Sequence, residues 1–348
     1  MRKILIICFL GILWALPVHA LELEAPLPTG EAAQMMSREA DTFGEGLWNL
    51  LQAAAEVVAP SLTEGSRTCL RILGALLLVG LASQLSPGLS GKTVELAGVA
   101  AVSALLLEPS ASLIRLGLEI TDALRDYGKL LLPVLASALA SRGGVSAASA
   151  LYVGTAVFDT VLGSLVNRLM VPMLWMYLAL CIACAALDQG LLGKLRDLIR
   201  WLAEWILKLM LYAFTGYMAI TGAVSGTADA AAAKAAKLVI SGAVPVVGGI
   251  LSDAADTVLV SASALGSGAG TLGILAVLAI FCAPVLRIGL RYLLLKLTAA
   301  VGELVGGSRC AELVGHAAGV LGLLMGLVSA QALLLLVSSL CFLRGVSG

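Results

Sequence analysis

Lys237-Leu-Val-Ile-Ser-Gly-Ala-Val-Pro-Val-Val-Gly-Gly-Ile-Leu-Ser-Asp-Ala-Ala-Asp-Thr-Val-Leu259 sets one proline, three glycines and two aspartates inside an otherwise apolar segment. Proline removes a helix hydrogen bond, and glycine lets another backbone come close. An aspartate in hydrocarbon is costly enough to need a reason. The pattern predicts a helix packed and bent inside a membrane assembly, with Pro245, Gly248 and Gly249 at the bend. Asp253 and Asp256 stand three apart, hence on one helical face, turned to a wet cavity or a subunit seam. The alternative is a polar turn over 252–257 between two half-spans, with both aspartates wet.

The rest of the chain agrees with a bilayer as solvent. Of its 348 residues 60% are hydrophobic and 13% charged, with a mean hydropathy of +1.01. Soluble domains carry about 25% charged residues, and one water-soluble core cannot hide this much apolar surface. The expected fold class is therefore all-α, a polytopic helical integral membrane protein. Formal charge is zero, which argues against nucleic acid as a partner, because that binding rests on an excess of Lys and Arg.

Residues 1–20 read as a signal peptide. Arg2 and Lys3 form a basic start, Ile4 to Leu16 an apolar core, and Val18-His19-Ala20 a small-residue cleavage site. An uncleaved first anchor is the other reading. Residues 21–68 follow as an exported acidic arm, with eight carboxylates between Glu22 and Arg67 against Arg38 and Arg67 alone. Scarcity of basic residues fits the extracytoplasmic side. Glu45 to Ala59 has apolar residues at helical spacing, and Pro60 closes that helix in this reading.

From 69 to 348 the chain is a multi-span domain. Apolar runs lie near 70–86, 93–107, 128–141, 146–166, 169–187, 206–225, 239–265, 269–290 and 317–343. At ~20 residues per crossing these give about seven spans. Leu191 to Leu209 lies between spans as an amphipathic helix. Leu191, Leu195, Leu198, Leu202, Trp205 and Leu209 form one stripe, Lys194, Arg196, Arg200 and Lys208 stand elsewhere, and Trp201 and Trp205 are one turn apart. Trp201, Trp205, Arg196 and Arg200 are the expected interfacial anchors. Leu113 to Lys129, with Arg115, Glu119, Asp122, Arg125 and Asp126, is a second segment of this kind.

Candidates for chemistry are few. Asp159 lies in Gly154-Thr-Ala-Val-Phe-Asp-Thr within an apolar run, and ionisable residues inside a membrane are functional hypotheses by default. Cys181-x-x-Cys184 resembles a redox or zinc motif but has no second pair and no His near it in sequence, so the thiols read as small hydrophobes. Gly88-Leu89-Ser90-Gly91 with His316 matches a rhomboid-like pattern too short to carry weight, and Ser90 follows Pro87 in a loop. No metal cluster, phosphate loop or nucleotide motif occurs, so neither an enzyme nor a cofactor is expected. Thirty-eight glycines, and pairs such as Gly315 and Gly319, allow close helix contact within the chain or in a homo- or hetero-oligomer. A matching Leu-Pro-Val-Leu at 132–135 and Val-Pro-Val-Val at 244–247 leave a weak internal repeat open, as in transporters.

The signal, the acidic arm, Tyr127-Gly-Lys-Leu-Leu-Leu-Pro-Val-Leu-Ala136, the Trp-bearing amphipathic helix and above all 237–259 resemble the stage III sporulation protein AE family. The resemblance runs from about Leu47 to the C-terminus. It implies a multi-pass protein made in the mother cell of an endospore former and placed in the outer forespore membrane. It further implies a channel-like, secretion-like complex with the other stage III sporulation A-operon proteins, an ATPase sibling among them, and with the forespore protein Q across the gap. That complex sustains forespore development after engulfment. Two other readings stand beside it: a self-sufficient secondary transporter coupled through Asp159 and the Asp253/Asp256 pair, and a scaffold of the same complex without a pore.

Overall fold

A computed structural model describes Pro28 and residues 43–85, 91–141, 144–187, 190–220, 268–304 and 308–347. The signal peptide and the 237–259 segment, with Pro245, Gly248, Gly249, Asp253 and Asp256, lie outside the described residues. So does Ser90. Apart from Pro28 and Gly144, everything described is helix: α1 Phe43–Leu85, α2 Gly91–Ser141, α3 Val145–Leu165, α4 Val171–Leu187, α5 Gly190–Ile220, α6 Gly268–Leu304 and α7 Ser308–Ser347. A π-turn, Val166–Met170, joins α3 to α4.

Among the described residues, five continuous helical stretches are long and apolar enough to cross a membrane: Trp48–Ala82, Thr93–Ser141, Ala148–Leu187, Leu272–Leu304 and Arg309–Phe342. The bilayer offers backbone groups no water to bond with, which leaves helices as the way for such a chain to satisfy them.

The structure merges runs that the sequence separates. The runs at 93–107 and 128–141 belong to one helix of 51 residues, about 76 Å long against a hydrocarbon layer of about 30 Å. Leu113 to Lys129 is the middle of that helix, not a segment lying between two spans. The reason is its inner stripe: Ile114, Gly117, Thr121, Leu124, Tyr127 and Leu131 are all buried at helical spacing, while Arg115, Glu119, Asp122 and Asp126 face out. Charges on one face do not break a helix whose other face is packed.

Pro60 likewise fails to end α1. Leu50, Ala54, Gly65, Cys69, Ile72 and Leu76 form a buried stripe that passes Pro60 on its exposed side, so packing outweighs the roughly 3 kcal/mol that an interior proline costs. The acidic arm from 43 onward is therefore continuous with the first span. The runs at 146–166 and 169–187 meet through the π-turn, where Val171 N–H bonds back to Val166 O. Pro172, which has no N–H to give the preceding turn, follows at once.

Helix α7 is the core. Of its most apolar window 78% is buried, against 61% for α6 and 28–39% for the other three stretches. Gly315 and Gly319 serve this internal packing: a Cβ on Gly315 would stand 3.5 Å from Ala299 Cβ on α6, and one on Gly319 would stand 2.9 Å from Tyr177 Oη on α4. Ion pairs tie neighbouring helices together, Arg291 Nη2 to Glu64 Oε2 at 3.3 Å and Arg309 Nε to Glu95 Oε2 at 3.2 Å.

Candidate functional site

Asp159, Thr155 and Gly163 share one face of α3 because they are four residues apart. That face meets α7 and α2. Gln331 Nε2 donates to Asp159 Oδ1 at 2.6 Å, and Thr155 Oγ1 donates to Ser338 Oγ at 3.1 Å. Rising numbers on α3 pair with falling numbers on α7, the register of antiparallel helices. Ser338 passes its own hydroxyl hydrogen to Leu334 O at 2.8 Å. These two polar rungs lie in apolar surroundings: Thr155 and Ser338 are fully buried and Gln331 is 1% exposed.

Helix α2 contributes Arg125. Its Nε stands 3.9 Å from Asp159 Oδ2, while Nη1 donates to Asp122 Oδ1 at 3.3 Å. The guanidinium fits because position 163 is glycine; a Cβ there would overlap Arg125 Cζ and Nε. Arg125 Nε and Gln331 Oε1 are buried and make no hydrogen bond within the chain. Helix α5 closes the seam from outside. Tyr217 Oη donates to Ala150 O at 2.8 Å, its ring fills the space that a Cβ on Gly154 would take, and Phe158 meets Phe214 edge-on at 5.4 Å.

A second polar place lies where α4, α5 and α7 meet. A cavity of about 180 Å³ is lined by Cys181, Cys184, Arg196, Arg309, Glu312 and His316, among others. The Cys181/Cys184 pair thus has a histidine neighbour after all, supplied from the opposite helix and invisible in sequence. Among the described residues, no three His, Cys, Asp or Glu side chains stand close enough to hold a metal ion. His316 Nε2 is 3.1 Å from Glu312 Oε1, and Arg196 reaches Asp197 at 3.0 Å and Glu312 at 3.8 Å. Burial alone favours a neutral Arg196. The hydrogen bond to Asp197 and its charge, with smaller contributions from the two thiols, together outweigh this and hold the guanidinium above its ordinary range.

Arg196 therefore sits differently from the outward basic face that the sequence suggests. It is 8% exposed and turned into the protein with Ile199, Ala203 and Leu207. The apolar stripe Leu191, Leu195, Leu198, Leu202, Trp205 and Leu209 is the outer face, and Trp201 stacks on Trp205 there at 6.3 Å. Arg200 Nε donates to Glu204 Oε1 at 3.0 Å along the flank.

The family model described as stage III sporulation protein AE matches residues 39–343. The chain belongs to that family. The match takes in Arg125, Asp159 and Gln331 and runs through α1 to the last turns of α7. Stage III sporulation protein AE of Bacillus subtilis (strain 168) is 26% identical over 189 residues, 54% of this chain and 47% of that protein. The aligned part thus spans about half the length of that relative. No solved structure matches. The family is one of sporulation proteins and not a known enzyme family.

Gln331 and Ser338 escape a reading of the sequence, where Arg125 stands only as one charge of Leu113 to Lys129 and Thr155 only as a neighbour of Asp159. Gln331 and Ser338 lie in a long apolar run beside Ser329 and Ser339, where each reads as an ordinary polar substitution. The signal that was available is spacing: Thr155 and Asp159 at i and i+4 in an apolar helix ask for polar partners.

Proposed function

We propose that this chain is a membrane-embedded subunit of a channel-like, secretion-like complex that joins mother cell and forespore and is needed for forespore development after engulfment. The family match over residues 39–343 carries the reading. The bundle supports it: α7 is enclosed, while Trp48–Ala82, Thr93–Ser141 and Ala148–Leu187 leave most of their apolar surface uncovered for lipid or neighbouring subunits. In this reading the chain sits in the mother-cell-derived outer forespore membrane, with its N-terminal arm on the extracytoplasmic side. Its partners are the other stage III sporulation A-operon proteins, including an ATPase sibling, and indirectly the forespore protein Q.

Affinity capture of the tagged full chain from membranes of sporulating cells tests this. Recovery of the sibling subunits supports the complex. Recovery of the chain alone, together with solute uptake by the purified chain in vesicles, supports instead the self-sufficient transporter, the reading that the charged seam at Asp159 favours.

A further inference from the structure

We propose that Asp159 is a proton-binding site within the membrane domain, held by Gln331 and Arg125 and hydrated by one water molecule lodged between them.

The charges come first. Arg125 is shared by two carboxylates, Asp122 at 3.3 Å and Asp159 at 3.9 Å, so this trio carries one negative charge in excess. Lys129 does not correct it, because it pairs with Asp126 at 2.7 Å. The side chain of Asp122 is 57% exposed to water, whereas that of Asp159 is 16% exposed. The excess charge therefore weighs on Asp159, where neutralisation by a proton relieves the cost of a charge in apolar surroundings. A metal cation is a poorer occupant, since Arg125 already presents a guanidinium at the only uncovered carboxylate oxygen. The charged groups that face Asp159 are Arg125, Lys129 and Asp126, all from α2. Helix α7 brings Gln331 and Ser338, α5 brings Phe214 and Tyr217, and residues 154–165 of α3 hold no other charge.

Two unpartnered polar atoms locate the water. Arg125 Nε–H is a donor without an acceptor, Gln331 Oε1 an acceptor without a donor, and both are buried. The 3.9 Å between Arg125 Nε and Asp159 Oδ2 is too long for a direct hydrogen bond and invites a bridging water. One water accepts from Arg125 Nε–H and donates to Gln331 Oε1 and Asp159 Oδ2, a count of partners ordinary for a buried water.

The glutamine amide serves both charge states. With Asp159 ionised, Nε2–H donates to Oδ1, as in the structure. The water passes a proton to Oδ2 and takes another from solvent; rotation of the carboxyl group then carries the new O–H to the glutamine, and the amide turns. Oε1 then accepts from the new carboxyl O–H, and Nε2–H donates to the water. A single O–H bond forms at Asp159 and one breaks at the donor. No electron is exchanged and no hydrogen bond is lost. The site stands on the seam's geometry, whichever assembly the chain joins.

Infrared difference spectroscopy of the full chain in lipid nanodiscs tests it, following carboxylic-acid C=O bands as pH is varied. Subtracting the Asp159→Asn spectra isolates one titrating acid band in the unaltered chain. Gln331→Leu, which removes the amide that bonds to the carboxyl group, shifts that band's midpoint. Circular dichroism checks that each variant folds. Where Asp159→Asn does not fold, Gln331→Leu decides by itself, because it retains Asp159. Identical titrations of the unaltered chain and Asp159→Asn overturn the proposal, as does an unmoved midpoint in Gln331→Leu.

Discussion

Gln331 and Asp159 are 172 positions apart in the chain and 2.6 Å apart in space, so one hydrogen bond pins the central helix α7 to α3. The carboxylate is simultaneously the inner end of an ion pair with Arg125 on α2. Three helices of the bundle thus depend on one side chain.

Removing that side chain leaves the buried Gln331 amide without its acceptor and Arg125 with Asp122 alone. Asp159→Ala is expected to lower stability by roughly 2–4 kcal/mol. Lys129→Ala, which breaks a pair whose side chains are 62% and 72% exposed, is expected to cost under about 1 kcal/mol. Thermal unfolding of both variants in the same detergent measures the contrast. Equal losses would mean that the seam contributes no more than a surface pair.

Close packing gives a second expectation. Gly154 lies beneath the rigid ring of Tyr217, with no room for a methyl group, whereas a Cβ on Gly74 meets nothing within 4 Å. Gly154→Ala should destabilise by about 1–3 kcal/mol, and adding Tyr217→Ala should recover part of that loss by vacating the space. Gly74→Ala should be neutral or stabilising by up to about 1 kcal/mol. A double-mutant cycle on unfolding midpoints reads the coupling, and additive effects at 154 and 217 would contradict the contact.

Much of this was legible in sequence, and the rest was hidden for a physical reason. Helical periodicity and hydropathy are properties of a segment, so the all-α class and the apolar stripe of α5 follow from composition and spacing alone. Which face of a segment is inside depends on what packs against it. Arg196 reads as surface charge because charges usually are, yet it points inward between Asp197 and Glu312. Pro60 reads as a stop because its lost hydrogen bond is local, while the stripe that overrides it is packed against α6. Asp159 was legible as an oddity, but its partners come from two other helices. The 237–259 segment, the most telling in sequence, lies outside the described residues.

The cavity between α4, α5 and α7 separates the cysteines. Cys184 is half-buried and lines it, whereas Cys310 is 1% exposed in the core. A small water-soluble maleimide should label Cys184 faster than Cys310 in the folded chain, and the difference should vanish in denaturant. Mass spectrometry of labelled peptides at several times checks this. Faster labelling of Cys310 would show that water does not reach the cavity first.

The outer stripe of α5 predicts where its tryptophans go. Trp201 and Trp205 are 58% and 48% exposed on the face that carries Leu198 and Leu202, the arrangement of an interfacial helix with its apolar side in lipid. Brominated lipids should quench part of the chain's tryptophan emission, and Trp201→Phe with Trp205→Phe should remove much of the quenched component. Unchanged quenching in the double variant would place both rings away from lipid.

The measurement that bears most directly on the proposed role is deletion of this gene in its host, followed by imaging of forespores and of a late forespore-specific reporter after engulfment. The account predicts collapsed forespores and a silent reporter, both restored by the wild-type gene. Normal forespores with full reporter activity in the deletion strain would contradict it.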